Sequence, residues 1–145
     1  MKETIHIKYF NPDYPKLEYI EGKSDWIDLR SNETMHLEKD KHYLIPLGIA
    51  MQLPKGYEAL IAPRSSSFKK WGIIQTNTPG IVDETYCGPN DQWFMSIYAT
   101  RNTVIEKFDR VCQFRIIEHQ PHLMFEESNL ISNENRGGHG STGNN

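Results

Sequence analysis

The chain lacks the features that mark secreted, membrane-bound or nucleic-acid-binding proteins. It has only two cysteines, Cys87 and Cys112, too few for a disulfide framework, and neither stands in a CxxC pair. Its start, MKETIHIKYF, has no apolar signal-peptide core, and its longest apolar stretch, YLIPLGIAMQL, is too short to span a bilayer. A net charge of -3 argues against a general nucleic-acid binder. We therefore expect a cytoplasmic protein with no membrane or nucleic-acid partner.

Histidine spacing gives no sign of a structural metal site. The chain has six histidines, and of these His119 and His122 flank Pro121 without a further Cys or His nearby. Structural zinc sites place Cys and His ligands in pairs at characteristic spacings. We therefore predict that these histidines lie on the surface.

Helical periodicity is scarce, and short segments rich in β-branched and aromatic residues recur instead. Examples are IHIKYF, EALIAPR, GIIQTN, WFMSIYAT and RVCQFRII, separated by turn sequences such as NPDYP and LPKGY. This pattern predicts an all-β sandwich, jelly roll or barrel in one domain, residues 1–125. The segment SSSFKKWG predicts one short helix, capped by a serine of the run 65–67 and ended by Gly72. Residues 126–145 are polar and aperiodic, which predicts an arm rather than a second domain.

The first stretch that could carry chemistry is APRSSS. Arg64 and a run of serines follow Pro63 at a predicted strand-to-helix junction. The N–H groups of a helix start, hydroxyls and a guanidinium together suit an anion. The alternative is an ordinary helix cap with a surface arginine.

The second stretch is NTPGIVDETYCG, in which Asp83 follows the strand-like GIV and Tyr86 comes three residues later. It predicts a tight hairpin that holds a carboxylate beside an aromatic ring. Such a carboxylate can act as a general base on water. The alternative is a turn-favouring aspartate with a half-buried tyrosine.

The third stretch, FDRVCQF, places Gln113 in an apolar strand. By alternation Val111 and Gln113 share one face, and Arg110, Cys112 and Phe114 share the other. A buried glutamine needs hydrogen-bond partners, whereas an edge strand would leave it facing solvent. The tail RGGHGSTGNN presents a similar choice between a disordered terminus and a lid that orders on an anion.

Taken in order, DWIDL, PRSS, GIVDETYCG, FDRVCQF and RGGHGSTG resemble the five motifs of the trimeric deoxyuridine triphosphatase (dUTPase) family, in its bacterial or bacteriophage form. The resemblance runs from Asp25 to Gly143. It implies a jelly-roll-like β-barrel subunit with an extended C-terminal arm, assembled as a homotrimer with shared active sites. It also implies Mg²⁺-dependent hydrolysis of dUTP to dUMP and pyrophosphate, which clears dUTP from the nucleotide pool and supplies dUMP for thymidylate synthesis.

The resemblance also implies a role for each matching residue. Asp83 resembles the general base, and Asp28 the residue that holds Mg²⁺ through water. Tyr86 resembles the residue that packs on deoxyribose, and Asn77 and Gly80 belong to the segment that reads uracil. The residues that would contact phosphate are Arg64, Ser65, Ser66, Gln113, Arg136, Gly138, His139, Gly140, Ser141 and Thr142.

The sequence departs from the family pattern at several positions, including residues 25–26, Ser66 and Phe108, and two further departures bear on the uracil lid. His139 takes the place of the phenylalanine that covers uracil in the fifth motif, and about four extra residues, PNDQ, precede Trp93 and Phe94. We hypothesise that Phe94 supplies the missing ring, while Trp93 packs in the body of the subunit and His139 takes a polar role.

Two other functions fit parts of the pattern. A deoxycytidine triphosphate deaminase shares the fold but needs a catalytic Glu in the strand after the third motif, where WFMSIYAT has no acid. A nucleotide-sensing regulatory protein would bind dUTP, engage a protein partner and release no pyrophosphate. The presence of Asp83 favours turnover over sensing.

Overall fold

The computed structural model describes residues 3–19, 22, 24–129 and 134. In this part of the chain the protein forms eleven strands and one short helix, which confirms the all-β prediction. The strands are β1 (His6–Tyr9), β2 (Ile27–Arg30), β3 (Met35–Leu37), β4 (His42–Pro46), β5 (Ile49–Gln52), β6 (Tyr57–Pro63), β7 (Ile73–Gln75), β8 (Gly80–Val82), β9 (Phe94–Ala99), β10 (Thr103–Ile105) and β11 (Arg110–Glu118); the helix α1 is Ser67–Trp71.

Antiparallel pairing joins the strands into two larger sheets and two strand pairs. The four-stranded sheet has the order β2-β11-β6-β8, and the three-stranded sheet has the order β4-β9-β7. The strand pairs are β1 with β5 and β3 with β10. The hairpin predicted around residues 77–86 is wrong, because β7 pairs with β9 while β8 pairs with β6. The chain therefore changes sheets between Gln75 and Gly80.

One apolar core joins the sheets. Trp93 is 1% exposed, and its ring meets that of Phe114 edge-on at a centroid distance of 5.5 Å. Short β-branched and aliphatic residues fill the rest, because alternate positions of each strand face inward. The fully buried members include Leu29, Ile45, Leu47, Ile49, Ile73, Met95, Ile97, Ile105 and Val111.

The helix α1 ends as predicted, and it begins without a side-chain cap. Gly72 has a φ of 68°, and its N–H donates to Phe68 O at 2.6 Å, which closes the helix in a conformation that favours glycine. Ser66 occupies the N-cap position, as predicted for a serine of this run, but its side chain makes no capping hydrogen bond. Buried Ser67 instead accepts from Arg64 N at 3.0 Å and donates to Val111 O at 2.9 Å. This serine therefore ties the β6–α1 junction to β11.

Strict alternation fails at the start of β11. The register with β2 shifts between Arg110 and Cys112, so both Val111 and Cys112 are buried while Arg110 is exposed. A bulge of this kind re-aims side chains at the edge of a site. Beyond it, Gln113 is half-buried between buried Cys112 and Phe114, so it lies on the outer face of a central strand rather than on an edge.

The last described strand ends at Glu118. Residues 120–129 have no regular secondary structure and are exposed. The predicted phosphate contacts at Arg136, Gly138, His139, Gly140, Ser141 and Thr142 lie outside the described residues. No helix in the described part of the chain is long and apolar enough to cross a membrane.

Candidate active site

The first cluster of predicted site residues lines one groove. Asp28 on β2 pairs directly with Gln113 on β11, which in turn pairs with Ala62 on β6. Arg64 and Ser65 follow at the end of β6, and all the predicted residues of this group except Ser66 line a groove of about 770 Å³. The structure therefore brings together residues of DWIDL, PRSS and FDRVCQF, the first, second and fourth of the five motifs.

Two guanidinium groups flank the acid in this groove. Arg64 Nε lies 3.1 Å from Asp28 Oδ1, and Arg110 Nη1 lies 3.9 Å from Asp28 Oδ2. Arg64 Nη1 also donates to Arg110 O at 3.3 Å, and Gln113 Nε2 donates to Pro63 O at 3.1 Å. Both arginine side chains remain partly exposed, at 30% and 53%. The groove therefore offers an anion two guanidinium groups that lie beside Asp28 and remain accessible to solvent.

Sequence reasoning missed several residues of this groove. Lys16 and Arg30 line it beside Arg110, which adds positive charge around Asp28. Arg110 stood inside the quoted stretch FDRVCQF and could have been chosen as a basic neighbour of Gln113. Lys16 carried no such signal, because it enters the groove from a segment far away in sequence.

The second cluster lies around the connection from β7 to β8. Gln75 is only 5% exposed, and its Nε2 donates to Ile61 O at 2.8 Å and to Asn77 O at 2.6 Å. A Cβ added at Gly80 would lie 3.2 Å from the Ile61 Cβ and 3.6 Å from Asn77 Nδ2. Asn77 and Gly80 are therefore neighbours, fixed to β6 by a buried glutamine that the sequence interpretation did not select.

Asp83 follows β8 in a short turn. Its Oδ2 accepts from Thr85 Oγ1 at 2.7 Å, and its main-chain oxygen accepts from Tyr86 N at 3.0 Å. The Thr85 hydrogen bond, with smaller contributions from two main-chain N–H groups and from His119, lowers the pKa of Asp83. The carboxylate is therefore ionised at neutral pH, and 56% of its side chain is exposed, so it can accept a proton from water.

Tyr86 anchors the loop that carries the extra residues. Its hydroxyl donates to Gln92 O at 2.7 Å, and the ring is 39% exposed. Burial raises the pKa of the Tyr86 phenol, so this hydroxyl is a donor at neutral pH. Gln92 in turn accepts from Gly48 N at 2.9 Å. The loop from 87 to 92 is therefore held against the body of the subunit.

The two aromatic residues that follow the loop, Trp93 and Phe94, lie in different environments. Trp93 is buried in the core, as the hypothesis for this residue required, and exchanges main-chain hydrogen bonds with β5 and Leu47. Phe94 is 41% exposed on β9, opposite Pro46 of β4. An aromatic ring is thus available at the surface two residues after Gln92, which accepts from the Tyr86 hydroxyl, but its role stays a prediction.

The two clusters do not meet within one chain. Asp28 lies level with Ala62 of β6, whereas Asp83 follows Val82, which lies level with Ala59. Two strands separate β2 from β8, so strand spacing and rise place the carboxylates roughly 20 Å apart. One phosphorus atom therefore cannot contact both clusters of the same subunit.

Comparison with known proteins identifies the family to which this chain belongs. Residues 23–143 match the model of the family described as dUTPase. The SPbeta prophage-derived deoxyuridine 5'-triphosphate nucleotidohydrolase of Bacillus subtilis is 50% identical over 139 residues, which cover 96% of this chain and 97% of that protein. The deoxyuridine 5'-triphosphate nucleotidohydrolase of Clostridium tetani is 33% identical, over 97% of each chain.

Solved structures agree on the fold. The dUTPase of Staphylococcus bacteriophage 80alpha, solved with dUpNHpp, superposes with a TM-score of 0.77 at 22% identity, over 98% of this chain and 99% of that one. The dUTPase from phage phi11 of S. aureus, described with a structural Mg(II) ion, gives 0.72 at 19% identity, over 87% and 98%. With the family match over nearly the whole chain and the expected residues in their two clusters, this chain belongs to the dUTPase family.

Proposed function

We propose that the protein hydrolyses dUTP to dUMP and pyrophosphate, which removes dUTP from the nucleotide pool and supplies dUMP for thymidylate synthesis. The observation that carries the proposal is Asp83, an ionised and accessible carboxylate whose Oδ2 is held by Thr85 at the end of β8. The 50% identity to a prophage-derived dUTP nucleotidohydrolase supports it. Cys87 and Cys112 are free thiols, which agrees with the cytoplasmic location that we propose.

The proposed chemistry is a water attack at the α-phosphorus. Asp83 accepts a proton from the water, whose oxygen forms a bond to the α-phosphorus. The bond from that phosphorus to the oxygen bridging to the β-phosphate breaks, and pyrophosphate leaves with the bond electrons. Phosphoryl chemistry needs mainly positioning and charge stabilisation, so the remaining side chains act by holding the substrate.

The groove residues are proposed to hold the triphosphate. Arg64, Ser65 and Gln113 line the groove, and Arg110 adds a guanidinium that the sequence interpretation did not include. Ser66, which does not line the groove, is proposed to contact the phosphates from the start of α1. In this proposal the arm residues Arg136, Gly138, His139, Gly140, Ser141 and Thr142 close over the phosphates.

The donor set fits a Mg²⁺ ion that Asp28 holds through water. Asp28 Oδ1 lies 3.1 Å from Arg64 Nε and Oδ2 lies 3.9 Å from Arg110 Nη1, and these neighbouring cations favour a contact to the ion through water over direct ligation. Mg²⁺ usually keeps several waters and takes its remaining ligands from substrate phosphates. When bound, the ion would supply charge neutralisation at the phosphate oxygens.

A nucleotide panel tests the proposed activity. With Mg²⁺ present, we expect dUTP to yield dUMP and pyrophosphate, and UTP and dTTP to be poor substrates. Tyr86 would pack against deoxyribose and exclude a 2′-hydroxyl, and the 5-methyl group of dTTP would clash with the segment around Asn77. Pyrophosphate release is measured for each nucleotide, with EDTA as the metal-free control. UTP turnover equal to that of dUTP would refute the role of Tyr86, and dUTP binding without pyrophosphate would favour a sensing protein.

We further propose a homotrimer in which one chain supplies the groove and another supplies Asp83. The roughly 20 Å between the clusters of one chain requires a second chain at each site. Exposed apolar side chains support assembly: Leu44, Ile74 and Tyr98 lie on one sheet at 53%, 48% and 37% exposure, and Ile81 lies on the other at 63%. Apolar groups clustered on a surface are typical of subunit interfaces.

Phe94 is proposed as the ring that covers uracil. Stacking on a base contributes about 1–3 kcal/mol, so Phe94→Ala should weaken dUTP binding by roughly tenfold. Isothermal titration with a non-hydrolysable dUTP analogue measures this, with His139→Ala as the comparison in assemblies of unchanged size and stability. Weaker binding in His139→Ala alone would assign the lid to the arm instead.

A further inference from the structure

His119 stands beside the carboxylate that the proposed reaction uses. It follows β11, and its N–H donates to Gly56 O at 2.8 Å, which fixes its main chain to the turn before β6. Its Nε2 lies 3.7 Å from Asp83 Oδ1. Thr85 binds the other carboxylate oxygen, Oδ2. The two oxygens of Asp83 are therefore contacted from different sides by different residues.

Carboxylates of β6 and of the turn after β8 face the imidazole. Glu58 of β6 places Oε1 4.0 Å from Nε2, and Glu84, next to Asp83, places Oε1 3.8 Å from Nδ1. Glu84 also accepts from Gly56 N at 3.0 Å, so it holds the same turn that holds His119. The neighbouring Glu118 instead accepts from Tyr57 OH at 3.3 Å.

These carboxylates lie 3.7–4.0 Å from the ring nitrogens and favour one orientation of a protonated imidazole. When the imidazole is protonated, it carries hydrogens on both nitrogens, one facing Glu84 and the other facing Asp83 and Glu58. A rotation of the ring that removed Nε2 from Asp83 would also remove Nδ1 from Glu84. The main-chain bond to Gly56 prevents the segment from moving away as a whole.

We infer that His119 is a positioning residue for hydrolysis: it holds Asp83 Oδ1 while Thr85 holds Oδ2, so that the carboxylate is presented to the attacking water in one orientation. The inference rests on the proposed role of Asp83. A base that is itself oriented by a further group is a recurring arrangement in catalysis. The 3.7 Å separation allows a direct contact on small closure or a bridging water.

Substitutions of His119 distinguish its role in orienting the Asp83 carboxylate from the effect of its positive charge. His119→Ala should lower kcat for dUTP by roughly tenfold, within the coupling seen for contacting residues, with KM changed less than about twofold. His119→Gln keeps a donor near the position of Nε2 and should recover most of kcat. His119→Asn keeps a donor only near Nδ1, on the Glu84 side, and should not recover it.

The pH profile supplies a readout that a purely structural role would not move. The positive charge of a protonated His119 contributes to the lowered pKa of Asp83, after the Thr85 and main-chain hydrogen bonds. Activity is lost as pH falls through the pKa of the base, so His119→Ala should move the acid limb of kcat/KM to higher pH. His119→Gln is uncharged and should show the same shift despite its recovered kcat.

Two further variants make the test decisive. In an Asp83→Asn background, adding His119→Ala should cause no further loss, because His119 acts only through Asp83. His122→Ala changes an exposed histidine of the same segment and should behave as wild type. Melting temperature and assembly size are checked for each variant. Suppose that wild type hydrolyses dUTP and Asp83→Asn does not. If a folded His119→Ala then retains full kcat and the wild-type acid limb, the inference is wrong while the proposed function stands. No hydrolysis by wild type would overturn the proposed function itself.

Discussion

Asp83→Asn is expected to lower kcat for dUTP by about 10²–10⁴-fold, the usual contribution of a general base. The asparagine has the same shape and can still accept from Thr85 Oγ1 through its amide oxygen. It cannot accept a proton at neutral pH. Because the substitution leaves the arginine-lined groove unchanged, dUTP should bind with nearly the wild-type affinity.

Single-turnover pyrophosphate release and analogue binding measure the two effects separately. Asp40→Asn provides a matched control, since it makes the same chemical change at a residue that accepts from Tyr98 OH, away from both clusters, and asparagine tolerates its φ of 66°. The control should retain wild-type turnover. A rate within a few-fold of wild type in Asp83→Asn would show that another group activates the water.

Mixing two inactive variants is expected to restore activity. Arg64→Ala damages the groove, and Asp83→Asn damages the base; each alone should be nearly inactive. The two residues belong to different clusters of one chain, so a site built from two chains can receive an intact Arg64 from one variant and an intact Asp83 from the other. A trimer that contains both variants has one complete site among its three, so mixed assemblies should recover about one third of wild-type activity.

The experiment requires chains to exchange, so the variants are co-expressed with different tags and the mixed assemblies purified through both. A double variant carrying both substitutions, co-expressed with Arg64→Ala, serves as the control, because no site then has both residues intact. Mixed assemblies with no more activity than this control would show that each chain builds its own site, against the roughly 20 Å separation inferred from strand spacing.

Local features of the site could be predicted from the sequence. Asp83 follows a short β-branched segment and precedes turn-forming residues, so its position at the end of a strand follows from composition. Arg64 and Ser65 were expected at a strand-to-helix junction, and α1 begins two residues after Ser65. These predictions succeed because strand ends and helix starts depend on neighbours in sequence.

Features that depend on distant pairing could not be predicted. In NTPGIVDETYCG a β-branched segment precedes turn-forming residues, which is typical of a hairpin, yet Ile61 of β6 pairs with Gly80 and takes β8 into another sheet. The hydroxyl of Ser67 is used to bind Val111, 44 positions away, rather than to cap its helix. His119 is exposed, as predicted, but nothing near it in sequence shows that β6 and the segment after β8 bring carboxylates to it.

The most direct test of the central claim, that water is delivered to the α-phosphorus, uses water enriched in heavy oxygen. The protein hydrolyses dUTP in this water with Mg²⁺ in a single turnover, and mass spectrometry locates the label in the products. Attack at the α-phosphorus predicts one heavy oxygen in dUMP and none in pyrophosphate. Label in pyrophosphate with unlabelled dUMP would place the attack at the β-phosphorus and contradict the account.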